Sequence, residues 1–360
     1  MTYTIATIIG ARPQFIKEAP LALALRKYFK EIIIHTGQHY DRNMSRVFFE
    51  DMGIPEPDYH LNIGSGRHGE QTGRMLAAIE EVLIKEKPDY VLVYGDTNST
   101  IAGALAAVKL QIPVGHIEAG LRSFNRSMPE EINRIATDRI ADHLFCPTEH
   151  AVSLLSKEGM TSNTYLTGDV MYDACLHFLP LSEQKSDIVR SLGLANKEFL
   201  LLTIHRPSNT DDPETFLSIL KSVAGSPWPV VFPCHPRTKK VMNHPESRHI
   251  LSKAKHLKII EPVGFLDMLQ LENHALKILT DSGGVQKEAF FMGKPCITLR
   301  TETEWLETVE AGYNVITGAD PDKITRAIHS FHPDHEREHY YGDGQAAQKI
   351  TEQIKKVLIS

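Results

Sequence analysis

Four cysteines in 360 residues, at positions 146, 175, 234 and 296, are too few and too scattered for a disulfide framework. They read as buried, reduced thiols. No uninterrupted apolar run reaches the roughly 20 residues that span a bilayer, and the opening MTYTIATIIGARP has no positive region ahead of its apolar stretch. A soluble, cytoplasmic protein without a membrane partner is expected. Basic residues number 39 against 45 acidic ones, for a net charge of -6, and no basic run occurs. Nucleic acid is therefore set aside as the main partner, since backbone binding needs clustered Lys and Arg. A small anionic ligand needs only a local group of cations. Also missing are a CxxC pair, an HExxH motif and a GxGxxG fingerprint, which counts against a bound NAD. His329, His332, His335 and His339 share a polar segment that no Cys or carboxylate completes into a ligand set, so they read as solvated surface and no metal is expected.

What the chain does contain is alternation. Hydrophobic residues make up 42% of it, enough for two cores of ordinary domain size. The apolar runs YTIATII, EIIIHT, DYVLVYG and IPVGHIE alternate with amphipathic stretches at 14–29, 43–52, 99–111 and 130–142, and HLFCPT and TYLTGD read as the last strands of this half. That is the βαβ pattern of a parallel sheet. From about 176 to 196 the pattern weakens around Pro180 and Gly193, which suits a linker and an entry helix. A second series follows: FLLLTIH, a helix at 213–224, PVVFPCHP, LKIIEPV, a short helix at 266–273, LKILTDS, a helix at 285–292, and KPCITLR. The expected fold is α/β, with two doubly wound Rossmann-like domains, 1–178 and 190–342, facing a cleft. A helical segment at 343–360 packs on the second half or crosses back to the first; periodicity leaves both open.

The segment GHIEAGLRSFNRSMPEEINR sets Glu118, Glu130 and Glu131 among Arg122, Arg126 and Arg134. Glu118 ends a strand, and Pro129 with two acidic residues behind it opens a helix at Glu130. In open α/β sheets ligands bind at such strand ends. Carboxylates move protons and arginines hold anions, though the same set also serves as surface ion pairs capping a helix. In IIGARPQFIK, Gly10 permits a tight turn, and Arg12 and Lys17 flank a helix start, which makes either an anion site or an ordinary capped loop. In LKILTDSGGVQKEAFFMG, the amides of Ser282, Gly283 and Gly284 can approach an oxygen closely, because two of the three residues carry no side chain. Glu288 beyond them either accepts from ribose hydroxyls or is a surface-helix glutamate. Two further strand ends supply His205-Arg206 and His235, and Asp96 in VLVYGDTNST is either an N-cap or a catalytic carboxylate. Asp96, Glu118 and Glu130 from the first half, set against a cationic, amide-rich site from the second, imply a diphosphate carrying a neutral polyol: a nucleotide sugar. Glu131, Arg126 and Arg134 then read as scaffold.

In this order, GARPQFIK, GDTNST, GHIEAGLR, PEEINR, the TIHR turn, DSGGVQKEA and YGDGQA resemble the non-hydrolysing UDP-N-acetylglucosamine 2-epimerase family, over Thr4 to about Lys349. The resemblance implies a glycosyltransferase-B type fold, a cytoplasmic homodimer, no cofactor, and interconversion of UDP-GlcNAc with UDP-ManNAc for surface polysaccharide synthesis. It implies loss of UDP to give a 2-acetamidoglucal, followed by re-addition. Asp96, Glu118 and Glu130 then transfer protons and support an oxocarbenium-like transition state. Arg12, Lys17 and His205 stabilise the departing diphosphate, Ser282 and Gly283 cradle phosphate, and Glu288 holds the ribose; Arg206, His235 and Gly284 complete the substrate-binding set.

The chain departs from that family in places. The usual GTRPE is Gly10-Ala11-Arg12-Pro13-Gln14, T-E-R-P-E is Thr303-Glu304-Trp305-Leu306-Glu307, and HRRE is His205-Arg206-Pro207-Ser208. Gln38, His39 and Gln71 match an activator site of some members, whereas Tyr40, Asp41 and Glu70 do not, and Glu70 beside a diphosphate is repulsive. HTGQHYD and RSFNRSMPEE stand near a branch acting on UDP-2,3-diacetamido-glucuronic acid, while DSGGVQKEA with YGDGQA favours the UDP-GlcNAc branch. A hydrolysing epimerase, a glycosyltransferase and a non-catalytic nucleotide-sugar binder are the other readings.

Overall fold

Short runs of Ile, Val and Leu with no polar interruption make strands that are buried on both faces. In β1 (Thr4–Ile9), Ile5, Ala6, Ile8 and Ile9 are all buried. The computed structural model describes residues 3–37 and 55–359, apart from the side chains of Arg12 and Pro236. The helix expected at 43–52 lies outside that range. Contacts divide the chain into two compact units, 1–177 with 339–360, and 178–338.

In the first unit, β1 is joined by β2 (Lys30–His35), β3 (Tyr59–His60), β4 (Tyr90–Tyr94), β5 (Val114–Ile117), β6 (His143–Cys146) and β7 (Thr164–Leu166). All pairings are parallel, in the order β3-β2-β1-β4-β5-β6-β7. Ala6, Ile8, Ile32, Ile34, Val91 and Val93 pack on one face with Met75, Ile79, Ala102 and Ala106 of the helices His68–Glu86 and Asn98–Lys109. The alternating Ile5, Ile9, Ile33 and Leu92 are equally buried, so the sheet is covered on both sides. The C-terminal helix, Ala346–Ile359, belongs to this unit and packs against the helix Arg12–Leu25. Asp173 ties it down by accepting from the amides of Ala346 (3.1 Å) and Ala347 (2.8 Å). Of the two placements left open by periodicity, the return to the first half is the one found.

The second unit pairs β8 (Leu200–Thr203), β9 (Val230–Pro233), β10 (Leu257–Ile260), β11 (Lys277–Thr280), β12 (Cys296–Thr298) and β13 (Asn314–Ile316) in parallel, in the order β10-β9-β8-β11-β12-β13. Leu200, Leu202, Phe216, Leu220, Phe232, Leu279 and Ile324 form its main core. Lys277 is fully buried at the start of β11, and its ammonium caps the helix Pro321–Ser330 through the carbonyls of Ala327 (3.1 Å) and Ile328 (2.5 Å). In each sheet the strand order reverses once, between β1 and β4 and between β8 and β11. Those are the topological switch points at which open α/β sheets bind ligands.

Candidate active site

At the first switch point the β1 and β4 turns are stitched together by one buried amide. Gln14 Oε1 accepts from the amides of Gly10 (2.8 Å) and Ala11 (2.9 Å), and its Nε2 donates to the Tyr94 carbonyl (2.8 Å) and to Thr97 Oγ1 (3.1 Å). A glutamine can do both, whereas an ionised glutamate only accepts. Gly10 owes its place to close approach more than to turn geometry, because a side chain there would run into Ser99 Oγ and Thr36 Oγ1. Arg12 opens the following helix, as expected from Pro13 behind it; its side chain lies outside the described part, as do Gln38, His39, Tyr40 and Asp41.

Lys17, on that helix, is ion-paired with Glu118, the residue just beyond β5. Glu118 is buried and held at a φ of 65°, in the left-handed region that residues with a side chain seldom occupy. Asp96 is not an N-cap, since that place at the helix Asn98–Lys109 belongs to Thr97, whose hydroxyl accepts from the Thr100 amide (3.4 Å). The Asp96 carboxylate instead meets Arg134 Nη1 at 2.5 Å, and its carbonyl takes a bond from Asn133 Nδ2 at 2.9 Å. Burial pushes the Asp96 carboxyl up, more than the Arg134 guanidinium pulls it down, and Glu118 and Glu130 push the same way. With 34% of the side-chain surface still open, solvent moderates that shift. Glu130 is exposed in the first turn of the helix Pro129–Ile140. Asp96, Glu118 and Lys17 thus come together, with Glu130 within electrostatic reach.

Two of the residues read as scaffold are wired into this cluster. Glu131 is buried and accepts from Ser123 N (2.8 Å), Ser123 Oγ (2.9 Å) and Phe124 N (2.9 Å), closing the loop between Glu118 and Glu130. Burial opposes its ionisation, but those bonds and Arg134 hold its carboxyl below the ordinary range. Arg134 bridges Glu131 (3.1 Å) and Asp96, so it orients a site carboxylate as well as shaping the loop. Arg126 is exposed.

At the second switch point, Asp281 organises the turn after β8. It is fully buried and accepts from the amides of His205 (3.1 Å) and Arg206 (3.0 Å) and from Asn209 Nδ2 (3.0 Å). His205 Nδ1 sits 3.2 Å from its carboxylate, which fixes the ring, and these partners hold Asp281 below the usual range against the cost of burial. His205 and His235 lie with ring centroids 5.9 Å apart, and His235 also caps the helix Pro236–Met242 by accepting from the Arg237 amide (3.2 Å). Burial, then the neighbouring His205 and Arg237, push the His235 ring toward its neutral form.

The cradle itself differs in one respect from the expected one. The Ser282 amide is spent on Thr280 Oγ1 (2.9 Å) and the Ser282 hydroxyl caps the helix Gly283–Phe291, which leaves the amides of Gly283 and Gly284 as the donors aimed outward from the first turn. A side chain at Gly283 would run into Glu304 Oε1, so Glu304, whose Oε2 accepts from Arg300 (2.9 Å), would have to swing aside. Glu288 is buried, not a surface glutamate. It is hydrogen-bonded to Glu272, whose carboxyl is pushed well above the usual range by burial and by Glu288.

Sequence alone gives no role to Asp281 or Asn133, and marks Gln14 and Glu304 only as members of segments that depart from the family pattern. For Asp281 a signal was present, as it stands beside the Ser-Gly-Gly turn at the end of an apolar strand. Among the described residues, no group of three or more His, Cys, Asp or Glu is placed to hold a metal ion, and no helix is long and apolar enough to cross a membrane.

Two parallel doubly wound sheets, one ending in a carboxylate and lysine cluster and the other in an amide cradle beside two histidines, define a double-Rossmann α/β protein of the glycosyltransferase-B type. A family profile described as UDP-N-acetylglucosamine 2-epimerase matches residues 21–355, and the chain belongs to that family. It is 53% identical to a UDP-N-acetylglucosamine 2-epimerase homolog of Methanococcus maripaludis, over 98% of this chain and 99% of that one. A UDP-2,3-diacetamido-2,3-dideoxy-D-glucuronate 2-epimerase of Pseudomonas aeruginosa is 49% identical over the same shares. The crystal structure of the Methanocaldococcus jannaschii UDP-GlcNAc 2-epimerase in complex with UDP-GlcNAc and UDP superposes with a TM-score of 0.85 at 44% identity, covering 99% of this chain and 100% of that one.

Proposed function

We propose that this isomerase interconverts UDP-N-acetylglucosamine and UDP-N-acetylmannosamine by removing and re-adding UDP. The observation that carries the reading is the meeting of Asp96, Glu118 and Lys17 at the β1/β4 switch point in a member of this family. The C2 hydrogen of the sugar has no adjoining carbonyl and is too weakly acidic for direct exchange. Breaking the C1–O bond solves this: the electron pair leaves with the diphosphate, a carboxylate takes the C2 proton, and a 2-acetamidoglucal remains. Re-addition of UDP at C1, with a proton delivered to the opposite face of C2, inverts that carbon. The sequence is redox-neutral and needs no electron carrier.

In this scheme Asp96, Glu118 and Glu130 work at the sugar. Lys17 neutralises Glu118 and, with Arg12, meets the charge that develops on the leaving diphosphate. In the second unit the Gly283 and Gly284 amides, His205, Arg206 and His235 hold the phosphates, and Glu288 takes the ribose. A cytoplasmic homodimer is the expected assembly, to be checked by light scattering of the purified protein.

Incubating the enzyme with UDP-GlcNAc in heavy water tests the scheme. Deuterium at C2 of both epimers is expected, and its absence would leave a transferase or a non-catalytic binder in place of an epimerase. Free UDP accumulating at equilibrium would instead indicate the hydrolysing reaction. The 49% identity to the Pseudomonas enzyme favours a second reading, epimerisation of UDP-2,3-diacetamido-glucuronic acid. Turnover of that sugar alone would replace UDP-GlcNAc as the substrate.

A further inference from the structure

His116, on β5, is fully buried beneath the Asp96 and Glu118 turns. Its Nδ1 lies 2.7 Å from Asp138 Oδ1 and its Nε2 lies 2.7 Å from the Gly95 carbonyl. A peptide carbonyl has no proton to give. Nor has Asp138, whose other oxygen accepts from the Arg122 guanidinium (2.6 Å) and from the Gly120 amide (3.2 Å), the partners of a carboxylate. Both contacts are met at once only by a ring that donates from both nitrogens, an imidazolium. A cation with no solvent contact needs a close countercharge and filled hydrogen bonds, and this one has both.

Asp138 is also the anchor of the next turn. Its Oδ2 accepts from Arg122 Nη1 (2.6 Å) and from the Gly120 amide (3.2 Å), and Arg122 grips Glu158 with two bonds of 2.8 and 2.9 Å. One carboxylate thus fixes the chain just after Glu118 and holds the ring that grips the chain just before Asp96. Gly95 and Glu118 both stand in the left-handed region, at φ of 62° and 65°. Glycine sits there freely, but a glutamate holds that conformation only where its surroundings over-determine it.

We infer that His116 is a positioning residue, whose doubly protonated ring, held by Asp138, pins the Gly95 carbonyl and so sets the Asp96 and Glu118 carboxylates relative to each other. The inference rests on the proposed role of those two carboxylates. A neutral ring donates from one nitrogen only, so it gives up either Asp138 or Gly95.

Nitrogen-15 spectra of histidine-labelled protein at neutral pH should show one ring protonated at both nitrogens that vanishes in His116→Gln. A singly protonated His116 overturns the inference. His116→Phe keeps a ring of similar volume without donors, and it should lower the rate of C2 exchange at saturating substrate by about a hundredfold, the scale of an ångström of misplacement. UDP affinity should change by less than about threefold, because the loss lies in alignment and not in nucleotide binding. Asp138→Asn, a second variant should His116→Phe fail to fold, is expected to give the same split between turnover and affinity. No exchange in the wild-type protein sinks the proposed function itself. Exchange with a neutral His116 ring, or with an undiminished rate in both variants, sinks only the positioning role.

Discussion

Asp96 is pulled two ways. Burial and the Glu118 and Glu130 carboxylates favour its protonated form, Arg134 and Lys17 favour the charged one, and the balance lies on the protonated side of an ordinary aspartate. A carboxyl so placed takes up and returns a proton closer to neutrality, as epimerisation requires. Replacing Asp96 by Asn or Glu118 by Gln should cut turnover by about 10²–10⁴-fold. UDP affinity, read by calorimetry, should hardly change, and an Asp96→Asn enzyme with normal turnover would reject that role. Sequence reading found both carboxylates because strand ends and motif spacing mark them. It could not choose between cap and acid for Asp96, since the deciding fact is that the Thr97 hydroxyl takes the cap. Nor could it see that Arg134 reaches Asp96 across 38 positions of sequence.

Elements were legible where their pattern was strong. The helix Pro213–Ala224 was expected at the same bounds, and every strand but β3 and β13 was placed from its run of Ile, Val and Leu. The helix His68–Glu86 was missed although Gln71, Met75, Ile79, Val82 and Leu83 bury one face, because Gly69, Gly73 and a run of Glu dilute the apolar period. The two-residue β3 is too short to leave a pattern, and the expected linker begins later because the helix Val170–Lys185 continues through Pro180. The return of the C-terminal helix hangs on Asp173. Burial first, then Asp169 and Asp343, push its carboxyl up to about 6, against an ordinary 3.8 and against the pull of the Ala347 and Ala346 amides. The folded-state value is the raised one, so this group's contribution to stability is complete below the unfolded value and is lost as pH rises through about 6. In urea titrations the wild type should therefore gain on Asp173→Asn on going from about pH 8 to about pH 5. A difference that does not vary with pH would show that Asp173 is not the titrating group.

For the whole molecule the proposal divides labour, with chemistry at the sugar in the first unit and the nucleotide in the second. UDP alone should then stabilise chiefly the second. At a hundredfold excess over Kd, a ligand bound to one native site adds about 2.7 kcal/mol. Hydrogen exchange should show that protection around Gly283–Phe291 and the turn after Thr203, and much less along Val114–Ile117. The reverse pattern would reassign the nucleotide site. Fold type, strand series and family motifs were all readable from the chain, whereas the crossing back of the C-terminal helix rests on long-range contacts, the Asp173 carboxylate and the packing of Ile350 and Ile354 in the first unit, that no local pattern announces.

That crossing has a consequence for how the protein is made. The first unit is left at residue 177 and regained at 339, with the whole second unit synthesised in between. During translation the second unit has all its strands before the first has its last helix. Until then the Arg12–Leu25 face that receives Ala346–Ile359 stands open to chaperones and to neighbouring nascent chains. A change within Ala346–Ile359 therefore tells on the N-terminal half, and not on the half that precedes it in sequence.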